Sequence, residues 1–532
     1  MASPSFVNEN TVFRMAQAGK TEVLDREYEA ALAQVRKMVG QSHSMVIAGK
    51  SVTTKDTFDD TDPSTGEVIA RFPAGTAADV AAAVAAAKAA QPAWEALGWR
   101  KRVEIIERAV VLMRERRPEL AALMTLENGK NRVEAYYDVD EGIDFLKYDA
   151  LQMRAHDGFV VPMGSAFPDE TCVSVMRPWG VFAVVGPFNF PVAIPLGMTV
   201  GALITGNAVV LKPASDTPWC GAEVVRLLHD AGVPGPVLSL VTGSGRAVGQ
   251  PLIDHPDLGG LVFTGSRDVG MRNYQSFVGR KPRPYIAEMG GKNATIVTKN
   301  ADLDKASTGV IKSAFGFGGQ KCSATSRVYV HESVHDRFVE LLTAKGKKVK
   351  VDLPWKKEAD MGPVVNKAAV ETFRSAVEAA KKAGGQFVVG GHVLSQGEFA
   401  KGNFVEPSIV TGLPLAHEAF RQEYFVPFVA VGKFRDNEEV AREVNAADYG
   451  LTFGVFTNDP KEMEWFFDHI EAGVVYGNRD RGSSTGAMVG GQSFGGWKFS
   501  ATTSRGAGGP WYLLQFLREQ SRTYAGGTKP PR

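Results

Sequence analysis

Three residues stand out by type and setting. Cys322 lies in Gly318-Gly-Gln-Lys-Cys-Ser-Ala-Thr-Ser, Glu288 in Ile-Ala-Glu-Met-Gly-Gly-Lys-Asn, and Asn189 in Gly-Pro-Phe-Asn-Phe-Pro. The thiolate is the nucleophilic form of cysteine, and an adjacent cation favours it. The small polar neighbours of Cys322, with Lys321 beside it, suit a thiol that a substrate must reach. The alternative is that Cys322, like most lone cysteines, is an inert small hydrophobe. Cys172, in TCVSVM, and Cys220, after Trp219, have no comparable setting and read as structural. Glu288, placed at a strand end before a double glycine, has the form of a general base on a mobile side chain. It also has the form of a carboxylate satisfied by neighbouring amides. Asn189 sits among apolar residues, where a primary amide must be hydrogen-bonded or used. Donation to an oxyanion is one such use.

Two glycine turns point to phosphate. Gly243-Ser-Gly245-Arg-Ala-Val-Gly249 follows a predicted strand and opens a predicted helix, but its spacing is not that of the dinucleotide fingerprint. A tight strand-to-helix turn explains it equally well. In Phe263-Thr-Gly265-Ser266, Gly265 would admit a phosphate close to the backbone and Ser266 would donate to it.

These residues need a frame, and the chain spells one out. From residue 181, apolar runs alternate with helical patterns: VFAVV, AVVL at 208–211, a helix after Pro218, VLSLV at 237–241, a helix from about Arg246, and GLVFTG. Strands buried on both faces read as such runs, and the alternation predicts a parallel, doubly wound sheet with ligands at the carboxyl ends of its strands. A second alternation begins with ATIV near Ala294 and continues through a helix near 303–316, RVYVH and VHDRFVELLTAK. Upstream, a helix is predicted around Asp25–Val39, then a strand–turn–strand pattern. Thr76-Ala-Ala-Asp79 opens an alanine-rich helix as a capping box. Ile105, Ile106, Ala109, Val110 and Met113 form the apolar stripe of another helix, and 117–150 also reads as helical. The fold class is α/β, with two lobes and irregular additions at each end.

Composition narrows the function classes. The 532 residues are 44% hydrophobic and 22% charged, which excludes a disordered or low-complexity chain. Lys and Arg number 60 against 59 Asp and Glu, so no net field draws the protein to nucleic acid or to an anionic membrane. The three cysteines form neither a disulfide framework nor a zinc spacing, and no metal site is expected. Residues 181–211 carry no charge and are long enough to span a bilayer, but Pro187, Pro191, Pro195 and four glycines break the run. The N-terminus carries neither a secretion signal nor a transit peptide, so cytoplasm is the expected location.

Read together, GPFNFP, LKPAS, FTGS, EMGGKN, GQKCS, EYFVPF and QSFGG resemble the aldehyde dehydrogenase superfamily, in family order from near Asp62 to near Gln492. The resemblance implies two Rossmann-like lobes with a small β oligomerisation arm. The cofactor lobe would take 1–156 and 179–289, the catalytic lobe 290–496, and the arm and C-terminal tail 157–178 and 497–532. It implies NAD(P)-dependent oxidation of an aldehyde to a carboxylate through a covalent thioester. Cys322 would be the nucleophile. Asn189, with the Cys322 N–H, would hold the oxyanion, and Glu288 would activate the hydrolytic water. Lys212 in LKPAS would bind the adenosine ribose, Ser266 the pyrophosphate and Glu423 the nicotinamide ribose, with Phe425 beside the nicotinamide.

FGFGGQKCSATSR, DVDEGIDF and STGAMVGGQSFGG further resemble the branch that oxidises L-glutamate γ-semialdehyde, the open form of 1-pyrroline-5-carboxylate. There the amino acid end would rest on Ser323, Gly486 and Ala487, with Glu141 and Lys321 at polar positions of the same pocket. Backbone N–H groups at a Gly-rich turn suit a carboxylate. The chain departs from that branch at DRGSS between Arg479 and Thr485, which is a few residues longer, and at Phe188, Ser493 and Ala501. A different or larger aldehyde is the alternative. Ser215 stands where many NAD-preferring members carry Glu, so a charge penalty against NADP is absent. NAD is expected as the main cofactor, with NADP accepted. A non-catalytic scaffold would dispense with Cys322, Glu288 or Asn189, and a CoA-acylating dehydrogenase or acyl phosphate reductase would not need Glu288. An arm at 157–178 beside FLREQSRTY implies a homodimer or higher even oligomer by edge pairing. The final GGTKPPR is either a free tail or a cover for a neighbouring subunit.

Overall fold

The structure is a computed structural model that describes residues 6–528; residues 1–5, and 529–532 of the GGTKPPR tail, lie outside the described residues. Two seven-stranded sheets organise the chain. The first runs in the order Tyr285–Glu288, Gly260–Thr264, Val181–Val185, Ala208–Lys212, Leu238–Leu240, Met45–Ile47, Lys50–Val52. Its first five strands are parallel, and the 45–52 hairpin adds an antiparallel edge. Strand order reverses on either side of Val181–Val185, a topological switch point of the kind that places ligands beyond the carboxyl ends. The turn with Asn189, the Gly265-Ser266 turn and Glu288 all follow carboxyl ends of these strands.

The second sheet runs Gln386–Val389, Ser408–Thr411, Phe428–Phe434, Thr325–His331, Asn293–Val297, Thr452–Phe456, Val474–Gly477, parallel except for its first strand. Cys322 lies just before the amino end of Thr325–His331. Two α/β lobes therefore meet, carboxyl ends of one sheet against amino ends of the other.

Local chemistry explains the elements. In the helix Ala77–Ala96, Thr76 accepts from the Asp79 N–H and Asp79 reaches back to the Thr76 N–H at 2.8 Å, the capping box read from the sequence. Val103, Ile106, Ala109 and Met113 of the helix Trp99–Glu115 are fully buried, as their spacing requires. Val181–Val185 and Ala208–Lys212 are buried along nearly their whole length, so the uncharged run is sheet core. Among the described residues no helix is long and apolar enough to cross a membrane. The helix expected from Arg246 begins differently: Gly245–Gly249 is one wide turn capped by Ser244, and only Gln250–Asp254 is α-helical.

A three-stranded sheet pairs Val160–Met163, Thr171–Pro178 and Leu517–Tyr524. The stretch between Trp497 and this last strand is not a loose tail. Residues 500–502 pair along Ala287–Met289 through the Met289 N–H to Ser500 at 2.8 Å and the Thr502 N–H to Ala287 at 3.1 Å.

Candidate active site

Where the two sheets meet, an apolar cavity is lined by Glu288, Cys322, Ser323, Gly486 and Ala487, with Phe145, Phe190, Ile286 and Phe494 among its walls. Glu141 closes one side and Thr503, Arg505 and Tyr512 the other. Cys322, Glu288, Ser323, Gly486, Ala487 and Glu141, separated by up to 346 positions in the chain, thus share one space.

Cys322 is held by its backbone. The helix Leu303–Phe315 ends in Phe317, Gly318 and Gly319, all at positive φ (48°, 59° and 69°). A side chain at Gly319 would meet the Val426 carbonyl at 2.6 Å, so only glycine fits this turn. Buried Gln320 accepts from the Val365 N–H at 2.9 Å. Asn293 donates from its amide to the carbonyls of Cys322 at 2.6 Å and Ala324 at 2.9 Å, and accepts from the Thr452 N–H at 3.0 Å. This residue, the last of EMGGKN, is not among those the sequence singles out. A buried Asn opening a strand at a register irregularity was the available signal.

The turn that carries Asn189 is fixed from the helix Arg132–Ala155. Asp138 accepts from the Ala193 N–H at 2.7 Å at the start of the helix Ala193–Ile204, and pairs with Lys130 at 2.5 Å, both side chains fully buried. The Lys130 ammonium lies 3.7 Å from the centre of the Phe190 ring, and Asn128 donates to the Phe188 carbonyl at 3.1 Å. Asn189 itself is only 3% exposed, and no hydrogen bond occupies its amide among the described residues. It lies beside the cavity wall formed by Phe190 rather than lining the cavity.

Burial dominates the electrostatics. It raises the Glu288 carboxyl to about 7, and Oε1 of Glu288 is enclosed without a hydrogen-bond partner. Amides do not satisfy this carboxyl. Burial pushes the Cys322 thiol well above its ordinary value, and the charges of Glu288, Glu423 and Glu141 add to the shift. Burial also keeps Glu141 protonated far above the usual carboxyl range. The expected role of Lys321 as a thiolate-stabilising cation is not met. Its ammonium is bound to Glu134 at 2.5 Å, so the charge is spent on that carboxylate. Lys321 faces an outer cleft instead of the cavity.

The cofactor candidates divide. Lys212 is buried at the end of its strand with one partner, the Pro213 carbonyl at 3.0 Å, and burial lowers it to about 8. Ser266 caps the helix Arg267–Val278 without using its hydroxyl, which leaves that donor beside a positive helix end. Glu423 accepts from the Gly291 N–H at 2.8 Å through one oxygen only, and burial raises it to about 7. Phe425, at φ 59°, stacks edge-on against Phe188 at 5.8 Å. A buried ammonium, an unspent hydroxyl at a helix start and a half-bonded carboxylate fit a dinucleotide's hydroxyls and pyrophosphate. Ser215 donates to the Gly243 carbonyl at 3.3 Å. A side chain at Gly265 would also strike the Phe263 ring at 2.6 Å, so packing requires a small residue there whether or not phosphate approaches. Gly245, with open space around its Cα, belongs to the wide strand-to-helix turn.

On the opposite side, Ser323 is 1% exposed, and a methyl on Gly486 would lie 3.8 Å from its hydroxyl. Tyr476 donates to the Thr485 carbonyl at 3.0 Å and fixes that turn. The longer 480–484 segment turns inward: Ser483 bonds Thr295 and Thr325, each at 2.9 Å, and Ser484 bonds Thr452. Only Arg479, Arg481 and Thr485 of this stretch face the outer cleft.

Comparison with known proteins agrees with this architecture. Residues 50–521 match the aldehyde dehydrogenase family, and the chain belongs to that family. It is 38% identical over 509 residues to the 1-pyrroline-5-carboxylate dehydrogenase of Anoxybacillus flavithermus, covering 94% of this chain and 96% of that one. The crystal structure of 1-pyrroline-5-carboxylate dehydrogenase from Thermus with bound NAD superposes with a TM-score of 0.91 at 34% identity, covering 99% of this chain and all of that one. The betaine aldehyde dehydrogenase of Staphylococcus aureus in complex with NAD+ is more distant, at 27% identity, a TM-score of 0.87 and 95% and 98% coverage.

Proposed function

We propose that the protein oxidises L-glutamate γ-semialdehyde, in equilibrium with 1-pyrroline-5-carboxylate, to L-glutamate with NAD. The observation that carries the substrate is the convergence of Ser323, Gly486 and Ala487 on the cavity that holds Cys322 and Glu288. The similarity to proteins named for this activity supports it. The Ser323 hydroxyl and the N–H groups of Gly486 and Ala487 receive the substrate carboxylate, and the protonated carboxyl of Glu141 borders the amino acid end.

The thiol of Cys322 gives up its proton to solvent water as sulfur bonds the aldehyde carbon, so the Glu288 carboxylate stays free for the later hydrolysis. The Asn189 amide and the Cys322 N–H stabilise the oxyanion; one such donor is worth about 3–4 kcal/mol. The dinucleotide, bound by Lys212, Ser266 and Glu423, supplies the two-electron oxidation by accepting hydride from that carbon. The thioester left on Cys322 is then hydrolysed. Glu288 takes a proton from the attacking water, the carbon–sulfur bond breaks, and the thiol is restored. Ser215 in place of an acid lets NADP serve as a poorer alternative.

We assign 1–156 and 179–289 to the cofactor lobe, 290–496 to the catalytic lobe, and 157–178 with 497–532 to the arm and tail. The paired strands Thr171–Pro178 and Leu517–Tyr524 offer an edge for a homodimer or higher even oligomer. The cytoplasm is its place of action.

The test is NADH formation at 340 nm with 1-pyrroline-5-carboxylate, succinic semialdehyde and short, long and aromatic aldehydes. The proposal requires the highest kcat/KM for 1-pyrroline-5-carboxylate; a preference for simple or bulky aldehydes rejects it.

A further inference from the structure

The outer cleft that faces Lys321 shares Glu141, Phe190, Gly486 and Ala487 with the cavity at Cys322, so the two spaces adjoin across common walls. It encloses about 360 Å3, within the range of small-ligand sites. Two guanidinium groups line it, Arg479 and Arg481, and neither has an acidic partner among the described residues. Half-buried Arg479 lies 4.9 Å from the Tyr476 ring centre, with its Nη1 3.0 Å from the Met488 sulfur. Exposed Arg481 lies 4.7 Å from the ring centre of Phe13, contributed by the N-terminal helix Thr11–Gln17.

The acids of the same cleft are already committed. Glu134 binds Lys321 at 2.5 Å. Asp140 binds Arg117 at 2.9 Å and the Thr11 N–H at 2.6 Å. Asp144 takes the Asn8 amide at 2.9 Å, the Glu9 N–H at 3.0 Å and Lys147 at 3.1 Å. Burial raises the Glu141 carboxyl well above its ordinary value. Two unpaired like charges beside a pocket mouth repel each other, and the charge of Arg481 bears on Arg479. An anion between them would relieve that repulsion.

We propose that Arg479 and Arg481 form an entry subsite for carboxylates, which captures carboxylate-bearing aldehydes at the cleft and passes them to the cavity at Cys322. Arg481 lies within the DRGSS stretch that departs from the glutamate-semialdehyde pattern, and the subsite explains what that longer stretch presents to the substrate. The proposal rests on the reading that the substrate carries a carboxylate, but on no one aldehyde. The step involves binding only. Fields of this kind act on association, are screened by salt, and do not alter chemistry at a distant carbon.

The test compares the parent enzyme with Arg481→Gln and Arg481→Lys. Each is assayed for NADH formation from 1-pyrroline-5-carboxylate, succinic semialdehyde and uncharged butanal, at ionic strengths of about 20 and about 300 mM, where the screening length falls from about 20 to about 6 Å. For the parent, kcat/KM for anionic succinic semialdehyde should fall roughly three- to tenfold with salt, and less for the zwitterionic glutamate semialdehyde. Arg481→Gln should start at the lower value and lose most of the salt dependence, with kcat and all butanal constants unchanged. Arg481→Lys should recover most of the loss. An equal effect on butanal, or salt dependence intact in Arg481→Gln, overturns the subsite. If succinic semialdehyde depends on Arg481 while 1-pyrroline-5-carboxylate is a poor substrate, the subsite stands and the substrate assignment falls. If 1-pyrroline-5-carboxylate is the preferred substrate yet indifferent to Arg481, the subsite falls and the substrate assignment stands.

Discussion

The side-chain amide of Asn293 donates to the main-chain carbonyl of Cys322 at 2.6 Å, so the first residue of one central strand holds the backbone of the proposed nucleophile. The same amide reaches Ala324, and its oxygen receives the Thr452 N–H, which ties the loop to two strands at once. A nucleophile needs its attack angle fixed, and a misplacement of about 1 Å costs about a hundredfold. Asn293→Ala should lower kcat by roughly ten- to a hundredfold and destabilise the fold by about 1–3 kcal/mol, since buried carbonyls lose their donors. Stopped-flow kinetics with a urea melt check both; full activity in the variant would remove Asn293 from the positioning of Cys322.

The pH dependence follows from Glu288. As the proposed base it would work only when ionised, and burial raises its carboxyl to about 7. Thioester hydrolysis should therefore rise with pH through about 7 and level off above it. Glu288→Gln should abolish that inflection together with turnover. A deacylation rate flat from pH 6 to about 8 contradicts the role.

In the proposed role, Asn189 meets charge only as it develops on the oxyanion. Asn189→Ala should reduce kcat by about 10²–10³ with little change in NAD affinity, measured by fluorescence titration. A loss confined to KM would show that Asn189 binds substrate instead of the oxyanion.

Stability carries a separate signature at Asp149. This residue is buried with no charged partner among the described residues, where its Oδ2 also has no hydrogen bond, and burial raises its pKa well above 3.8. The folded state keeps a proton that the unfolded chain releases. Stability is therefore full below the unfolded value and falls as pH rises toward the folded one. Asp149→Asn should flatten that fall, so that urea midpoints of variant and parent diverge in the variant's favour as pH rises above about 4. Parallel curves would mean that Asp149 ionises in the folded protein.

Much of this was legible in the sequence, for physical reasons. Short uncharged runs of Val, Leu and Ala bounded by turn residues suit the strands of a covered parallel sheet, and Thr76 with Asp79 announces a helix start by its own hydrogen bonds. Cys322, Glu288 and Asn189 were visible because a reactive type sits among residues that do not explain it. What was hidden depends on contacts across the chain. The salt bridge of Lys321 to Glu134, 187 positions away, reverses the reading of a cation next to the thiol. Gly265 makes room for Phe263, a clash that only the folded turn reveals. The 500–512 segment, Gly-rich and unpatterned, pairs beside Glu288 and lines the cavity, because edge pairing asks little of side chains. Arg481 gave no local sign of lining a cleft with the N-terminal helix.

The most direct measurement of the central claim, a thioester on Cys322 that Glu288 hydrolyses, is single-turnover trapping in Glu288→Gln. The variant is mixed with NAD and 1-pyrroline-5-carboxylate, NADH is followed at 340 nm, and the quenched protein is examined by peptide mass spectrometry. The expected result is one burst of NADH per active site, then no turnover, with a glutamyl acyl group on the Cys322 peptide that hydroxylamine removes. Sustained turnover, or a burst that leaves Cys322 unmodified, would contradict the claim.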